Sequence, residues 1–359
     1  MPYTIPVGPY HPALEEPYKL SVACTGEIIQ KVDVEIGFSF RSIELLAQQR
    51  NYIQDVTLVE RVCGICSCVH TFAFCSTAER IAGIEVPARA RYIRTIMLEL
   101  ERLHSHLLWA GVGAEVMGYQ TLFMEAFHLR EQVMDLFEII SGNRVHYASN
   151  RIGGVNVDIQ DPKGILKVME NIRTALATNI VPAFMKNVTV RSRAVGTGVL
   201  TREDALAYGV VGPMARSSGL SIDVRQDAPY AAYQELGFKV ITQTECDVRA
   251  RVVVRALEML ESVRLIEEAL KNLPSGPIAV ADPFPVLPAG EAVFTAEAPR
   301  GEVFYYIKSD GSDIPQRVKI RTPSFINIPA VQAMVKGQNL ADLPLIQASI
   351  DPCCSCTDR

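Results

Sequence analysis

The sequence predicts an α+β fold that is mainly α: a core of long packed helices, an N-terminal β-hairpin and a smaller C-terminal region with strands. Three observations carry this. Apolar residues recur at spacings of three and four through most of residues 41–272. Apolar and polar residues alternate around a tight turn within 18–37. A second β-rich stretch follows a Pro- and Gly-dense break that begins after residue 271.

Taken in order, Tyr18 to Gly37 alternates on both sides of Thr25, Gly26 and Glu27, which predicts two strands joined by a turn. The helical pattern then occupies 41–54, 70–83, 88–112, 120–141, 163–188 and 244–272, and several of these exceed five turns. A bundle of long helices follows. "RIGGVNVDIQDP" after residue 150 and "NLPSGPIAVADPFPVLPAG" after 271 punctuate the pattern, the second being the larger break. Beyond it, two short β-rich runs flank "SDGSD" and predict a second hairpin at 301–321. There is no internal repeat. The chain reads as one domain, 1–359, with a β region to about 40, a helical core to about 272 and a β/loop region thereafter.

With 359 residues, 48% of them hydrophobic and 21% charged, the chain can bury a large core. A net charge of -5 gives no footprint for nucleic acid or an anionic membrane surface. Arg80, Arg89, Arg91 and Arg94 alternate with apolar residues and read as a solvated or paired helix face. The N-terminus lacks a basic stretch followed by an apolar one, and no segment approaches the roughly 18 apolar residues of a membrane span. The chain itself is therefore expected to be soluble. Its mean hydropathy of +0.15 points to surfaces covered by other subunits. "GVGAEVMG" follows a helical pattern and lacks the third glycine of a dinucleotide fingerprint, so no nicotinamide site is expected.

Nine cysteines without an export signal argue for metal or redox chemistry over disulfides. Cys63 and Cys66 form one C-x-x-C, Cys353 and Cys356 another. Two intervening residues let a turn direct both sulfurs at one point, and soft thiolates select zinc, iron-sulfur, or nickel and iron centres. The pairs lie almost a chain length apart, whereas a zinc ribbon places them about 15 to 20 residues apart. Tertiary structure must build this site. On spacing alone, structural zinc stays open.

The flanking residues narrow the choice. "Arg61-Val-Cys63-Gly-Ile-Cys66-Ser-Cys-Val-His70" resembles the R-x-C-G-x-C-x-x-x-H motif of nickel-iron hydrogenase large subunits, and "Asp351-Pro-Cys-Cys-Ser-Cys356" resembles their D-P-C-x-x-C. "GPYHPALEEP", "RSIELL", "SHLLWAG" and "RTPSF" extend the likeness to the energy-converting, membrane-bound hydrogenases and to the quinone-site subunit of respiratory complex I. Complex I relatives lack the four cysteines. The resemblance implies terminal nickel ligands Cys63 and Cys353, bridging ligands Cys66 and Cys356, and an iron carrying carbonyl and cyanide. It also implies an iron-sulfur small subunit, further soluble iron-sulfur subunits, ferredoxin as electron partner, and integral membrane subunits that move ions. The chain would then lie peripherally on the cytoplasmic side of the membrane. A zinc-stabilised scaffold of a complex I-like assembly and a soluble cofactor-reducing hydrogenase are the alternatives.

By the same resemblance Arg300, in "APRGE", lies over the open face of the metal pair. Glu16 is the proton relay, with Glu15 as runner-up, and His70 hydrogen-bonds near bridging Cys66. Glu44 matches a residue that, with a histidine after the last cysteine, holds a further Mg or Fe ion in many members. Here Arg359 occupies the histidine's place, and an arginine has no lone pair for a metal. It is expected to pair with Glu44. Cys68, Cys75 and Cys354 read as packing or neighbouring groups, Cys24 and Cys246 as small buried hydrophobes. His104 and His106, two apart on a helix, should diverge rather than share a metal.

Overall fold

The computed structural model describes residues 2–282 and 287–359. Its architecture is mainly α, with a three-stranded antiparallel sheet near each end of the chain. The first sheet runs β1 (Pro2–Val7), β2 (Lys19–Thr25), β3 (Ile28–Glu35) in that order. β2 and β3 are the predicted hairpin, and Leu20, Val22 and Cys24 alternate into the core. β1 is an addition to the predicted pair. Its two prolines cannot donate to a ladder, so the segment does not read as a strand, yet an edge position tolerates them.

The helices follow as α1 (Ile43–Ala47), α2 (Tyr52–Glu60), α3 (Ser67–Ala82), α4 (Ala88–Val116) and α5 (Gln120–Ser141). The single helix expected over 41–54 is two, because Asn51 starts a new one. Its side chain accepts the Gln54 N–H at 2.9 Å while Gln54 accepts the Asn51 N–H at 3.2 Å, a reciprocal cap. The segment expected over 163–188 is α6 (Pro162–Ala175) and α7 (Val181–Lys186), joined by a π turn over Leu176–Ile180. Pro182 follows that turn within an unbroken right-handed helical stretch, where its missing N–H and its ring account for the local change in hydrogen-bond pattern. Several short helices lead to α8 (Val248–Lys271), begun by Asp247, whose carboxylate accepts the Ala250 N–H at 2.8 Å.

The second sheet is β4 (Gly290–Ala298), β5 (Gly301–Ser309) and β6 (Arg317–Arg321). β5 and β6 match the second hairpin. β4 escapes the pattern because "GEAVFTAEA" is rich in Ala and Glu, which favour helices. Part of the preceding Pro-rich break, 283–286, lies outside the described residues. A last short helix, α9 (Cys354–Asp358), carries Cys356, and Cys353 immediately precedes it. No helix among the described residues is long and apolar enough to cross a membrane.

α4 is the axis of the molecule. Packed by α3, α5 and α8, it is buried almost continuously from Ile93 to Leu107, so its polar side chains must find partners inside the protein. Arg94 is gripped by Glu79 at 2.6 and 3.0 Å. His106 meets Glu258 of α8 at 2.9 Å, while His104 packs edge-on to Phe137, so the two histidines do diverge. Glu99 accepts from Arg225 (3.1 Å), Arg102 (3.3 Å), Tyr233 (2.5 Å) and Ser262 (2.6 Å). The basic run is paired as well, Arg89 with Asp158 and Arg91 with Glu235. Cys24 is buried as expected; Cys246 is only partly buried and takes a left-handed φ of 63°.

Among the described residues Glu99 is the only carboxylate partner of buried Arg102 and one of two for Arg225, and replacing it with alanine is expected to cost about 3–5 kcal/mol. A denaturation midpoint within error of wild type would show that these contacts are dispensable.

Candidate metal centre

The chain leaves α2 at Glu60 and enters α3 at Ser67, and the intervening turn carries the first cysteine pair. The Cys63 sulfur accepts N–H groups from Ile65 (3.2 Å) and Cys66 (3.3 Å). Two amides thus fix the position of this sulfur within the turn. Cys66 immediately precedes α3, whose first turn is tied down from α4. Glu101 accepts the Cys68 N–H at 2.5 Å and the Val69 N–H at 3.0 Å, filling the role of a helix cap from another helix.

The second pair is held by the segment "RTPSF". Ser324 Oγ accepts the Cys353 N–H at 3.0 Å, and Thr322 Oγ1 donates to the Cys356 carbonyl at 3.0 Å. Before it, Asp351 has a φ of 61°, which a non-glycine residue rarely adopts. Arg300 holds it there, donating from Nε to its carbonyl and from Nη2 to its Oδ1, both at 2.8 Å. The two segments are also bolted together. Arg41 donates to the carbonyls of Arg61 (2.7 Å) and Val62 (3.0 Å) on one side and Ser355 (2.5 Å) on the other.

The result is four converging sulfurs. Cys63 and Cys353 lie 3.5 Å apart, Cys66 and Cys356 3.3 Å apart, so like positions of the two motifs face each other. Cys63, Cys66 and Cys356 fall within 4.8 Å of one another, the single group of three potential ligands found among the described residues. All four are buried and none forms a disulfide. The Cys66 thiol is pulled down to about 7 by its hydrogen bond with Cys356, with Cys63 adding to the effect. Four soft donors in a closed, buried arrangement fit one or two thiophilic metal ions. Nearby, Arg300 Nη1 and Asp351 Oδ2 are buried without a protein partner, as fits polar atoms facing a bound group.

Glu16, on the loop between β1 and β2, accepts the Cys354 N–H. Burial, then the charge of Cys353, push its carboxyl up to about 7. Glu15 is more exposed and makes no hydrogen bond to this segment. The structure thus brings Glu16 to the cysteines. His70 differs from expectation: its Nε2 faces Cys356 Sγ at 3.6 Å, not Cys66, and its Nδ1 meets Tyr305 OH at 2.8 Å. Burial lowers its pKa to about 4, and a neutral ring with the proton on Nε2 satisfies both neighbours. Arg359 does pair with Glu44, Nε to Oε1 at 3.1 Å. Arg41, Glu101 and Tyr305 are the contributors that sequence reasoning missed. Arg41 opens the quoted motif "RSIELL" and was within reach; Glu101 and Tyr305 carry no local signal.

Two family models match the chain: "Nickel-dependent hydrogenase" over residues 41–110, and "Respiratory-chain NADH dehydrogenase, 49 Kd subunit" over 117–288 and 283–359. The first stretch contains the Cys63 pair and the second the Cys353 pair. Similar proteins include the carbon monoxide-induced hydrogenase of Rhodospirillum rubrum, 42% identical over 99% of both chains. The membrane-bound hydrogenase subunit alpha of Pyrococcus furiosus is 41% identical over 99% of this chain and 87% of its own. A subunit of the NADH-quinone oxidoreductase of Geobacter sulfurreducens is 36% identical over 97% of this chain and 96% of its own. Among solved structures, a chain of the membrane-bound sulfane sulfur reductase, an archaeal respiratory membrane complex, superposes with a TM-score of 0.94 at 33% identity, covering 99% of this chain and 98% of that one.

Replacing Glu101 with alanine leaves two buried N–H groups unpaired at about 1–3 kcal/mol each. The variant is expected to bind cobalt(II), followed by its thiolate charge-transfer absorption, about 10- to 100-fold more weakly. Unchanged cobalt affinity would remove Glu101 from any part in placing the sulfurs.

Proposed function

Since the chain belongs to the family that joins nickel-dependent hydrogenases to the 49-kDa subunit of respiratory NADH dehydrogenase, we propose that it is the catalytic subunit of a nickel-iron hydrogenase interconverting protons and H2. The convergence of four buried, unbridged cysteine sulfurs carries this reading. Cys63 and Cys353 would hold nickel, and Cys66 and Cys356 would hold nickel and iron. When bound, the metal pair, with carbonyl and cyanide on iron, supplies the Lewis acidity and redox capacity that heterolytic cleavage of H2 requires.

The protein's own groups do the rest. Arg300, oriented by Asp351, keeps a cation beside the sulfurs with its Nη1 free for an acceptor on the centre. Glu16, bonded to the backbone next to Cys353 and poised near neutral pH, can take a proton from that side and pass it outward. His70 supplies a hydrogen bond to the sulfur of Cys356 and is itself fixed by Tyr305.

Electrons need a partner, because no second group of three metal-ligating side chains is present among the described residues. We assign that role to an iron-sulfur small subunit, linked through further soluble iron-sulfur subunits to ferredoxin. Relatives named as membrane-bound hydrogenase and respiratory membrane complex support integral membrane partners that translocate ions. The chain would sit peripherally on the cytoplasmic side.

Metal analysis of the purified complex should return nickel at one per chain, with infrared bands from carbonyl and cyanide. Zinc in its place and no such bands would support the scaffold alternative. Glu16→Gln is expected to lower H2 turnover about 10²- to 10⁴-fold with nickel content unchanged, while Glu15→Gln stays near wild type. The reverse result would move the relay to Glu15.

A further inference from the structure

Family resemblance places a divalent ion between Glu44 and the third residue beyond the last cysteine. The residues present do not fit one. Glu44 Oε1 accepts Arg359 Nε and the Ile320 N–H, both at 3.1 Å, and Oε2 accepts Lys319 Nζ at 3.1 Å with Arg317 at 3.6 Å. One carboxylate is therefore surrounded by three cations, and both its oxygens are in use. Asp358, the nearest other carboxylate in sequence, is spent on the N–H groups of Gly37 (2.9 Å) and Ser39 (2.8 Å). Arg359 Nη1 donates to the Thr357 carbonyl at 2.8 Å, and its guanidinium lies 5.5 Å from the Phe325 ring centre. A guanidinium has no lone pair to offer a metal, and a divalent ion placed here would face three like charges.

We infer that the Arg359 guanidinium permanently replaces the divalent ion, so that the helix bearing Cys356 is locked to α1 by a built-in cation. The arrangement explains the residues around it. Arg359 follows Cys356 by one turn, and Glu44 lies on α1, just beyond Arg41, which bolts the two cysteine segments. Fixing Glu44 to Arg359 thus holds the turn after Cys356 against α1, three residues from the Arg41 that holds the first cysteine loop. The guanidinium remains charged at any working pH, and no chelator can extract it. This inference goes beyond the proposed function and stands whichever metals the four sulfurs hold.

The pair lines a groove of about 740 Å³ that also includes Phe40, Leu45 and Phe325 and opens to solvent, so small chelators and metal ions can reach it. The test uses the intact complex, stripped with EDTA, incubated with manganese(II) and desalted, with retained manganese counted per chain. Wild type and Glu44→Gln should retain the same amount. Arg359→His should retain one more per chain, which Glu44→Gln/Arg359→His loses, while Arg359→Lys, the variant that preserves the charge, should retain none extra. EDTA should leave the thermal midpoint of wild type unchanged and lower that of manganese-loaded Arg359→His. A manganese ion in wild type that depends on Glu44 would overturn the inference, as would an Arg359→His protein that gains none.

Discussion

Enclosing α4 is the constraint on which the rest of the structure depends. A helix buried on every side has its own backbone satisfied, but each polar side chain it carries must be answered from a neighbouring element. Arg94, Glu99, Glu101, Arg102 and His106 are answered by α3, α8, the second sheet and the connection that carries Arg225. These bonds have direction, so they fix how neighbouring helices slide and rotate, which apolar packing alone specifies weakly. Glu101 illustrates the gain: one α4 side chain sets where α3 begins, and thereby where Cys66 and His70 stand.

The candidate metal centre is assembled from short pieces at the starts of two helices. Each cysteine pair sits on a turn at the edge of a helix, and each turn is held by side chains that reach backbone atoms: Arg41, Glu101, Ser324, Thr322 and Arg300. Ser324 and Thr322 do this with neutral hydroxyls, while Arg41, Glu101 and Arg300 bring charge to the turns as well as hydrogen bonds. At Arg300 and Glu16, charge lies on opposite sides of the chemistry that must be balanced, a fixed cation and a carboxyl close to its midpoint at neutral pH. Tyr305 and His70 extend the same logic to the β5 face, delivering a neutral donor to Cys356.

Much of this could be seen in the sequence because it was written locally. The hairpin of β2 and β3, the long helices and the two C-x-x-C pairs are short-range patterns, and the Arg359 for histidine exchange foretold the pairing with Glu44. What escaped was settled by distant partners. β1 is a strand because an edge position forgives its prolines, and β4 is one because β5 offers it a ladder despite its Ala and Glu. The helix break at Asn51 is a local signal too, a reciprocal cap between Asn51 and Gln54 that interrupts the apolar period of 41–54. Glu101 and Tyr305 were not readable, since nothing near either residue hints at the cysteine it serves, and His70 met Cys356 rather than Cys66 because Tyr305 orients the ring from across the sheet.

The separation of the two cysteine pairs has a consequence for biosynthesis. At translation rates of about 5–20 residues per second, on the order of tens of seconds pass between the making of Cys66 and of Cys353. During that interval the first pair lacks the two sulfurs that face it in the folded chain, and such a dithiol is open to zinc or to oxidation. A metal that needs all four sulfurs could therefore be loaded only after Cys353 and Cys356 are made, with the first turn kept reduced and empty until then.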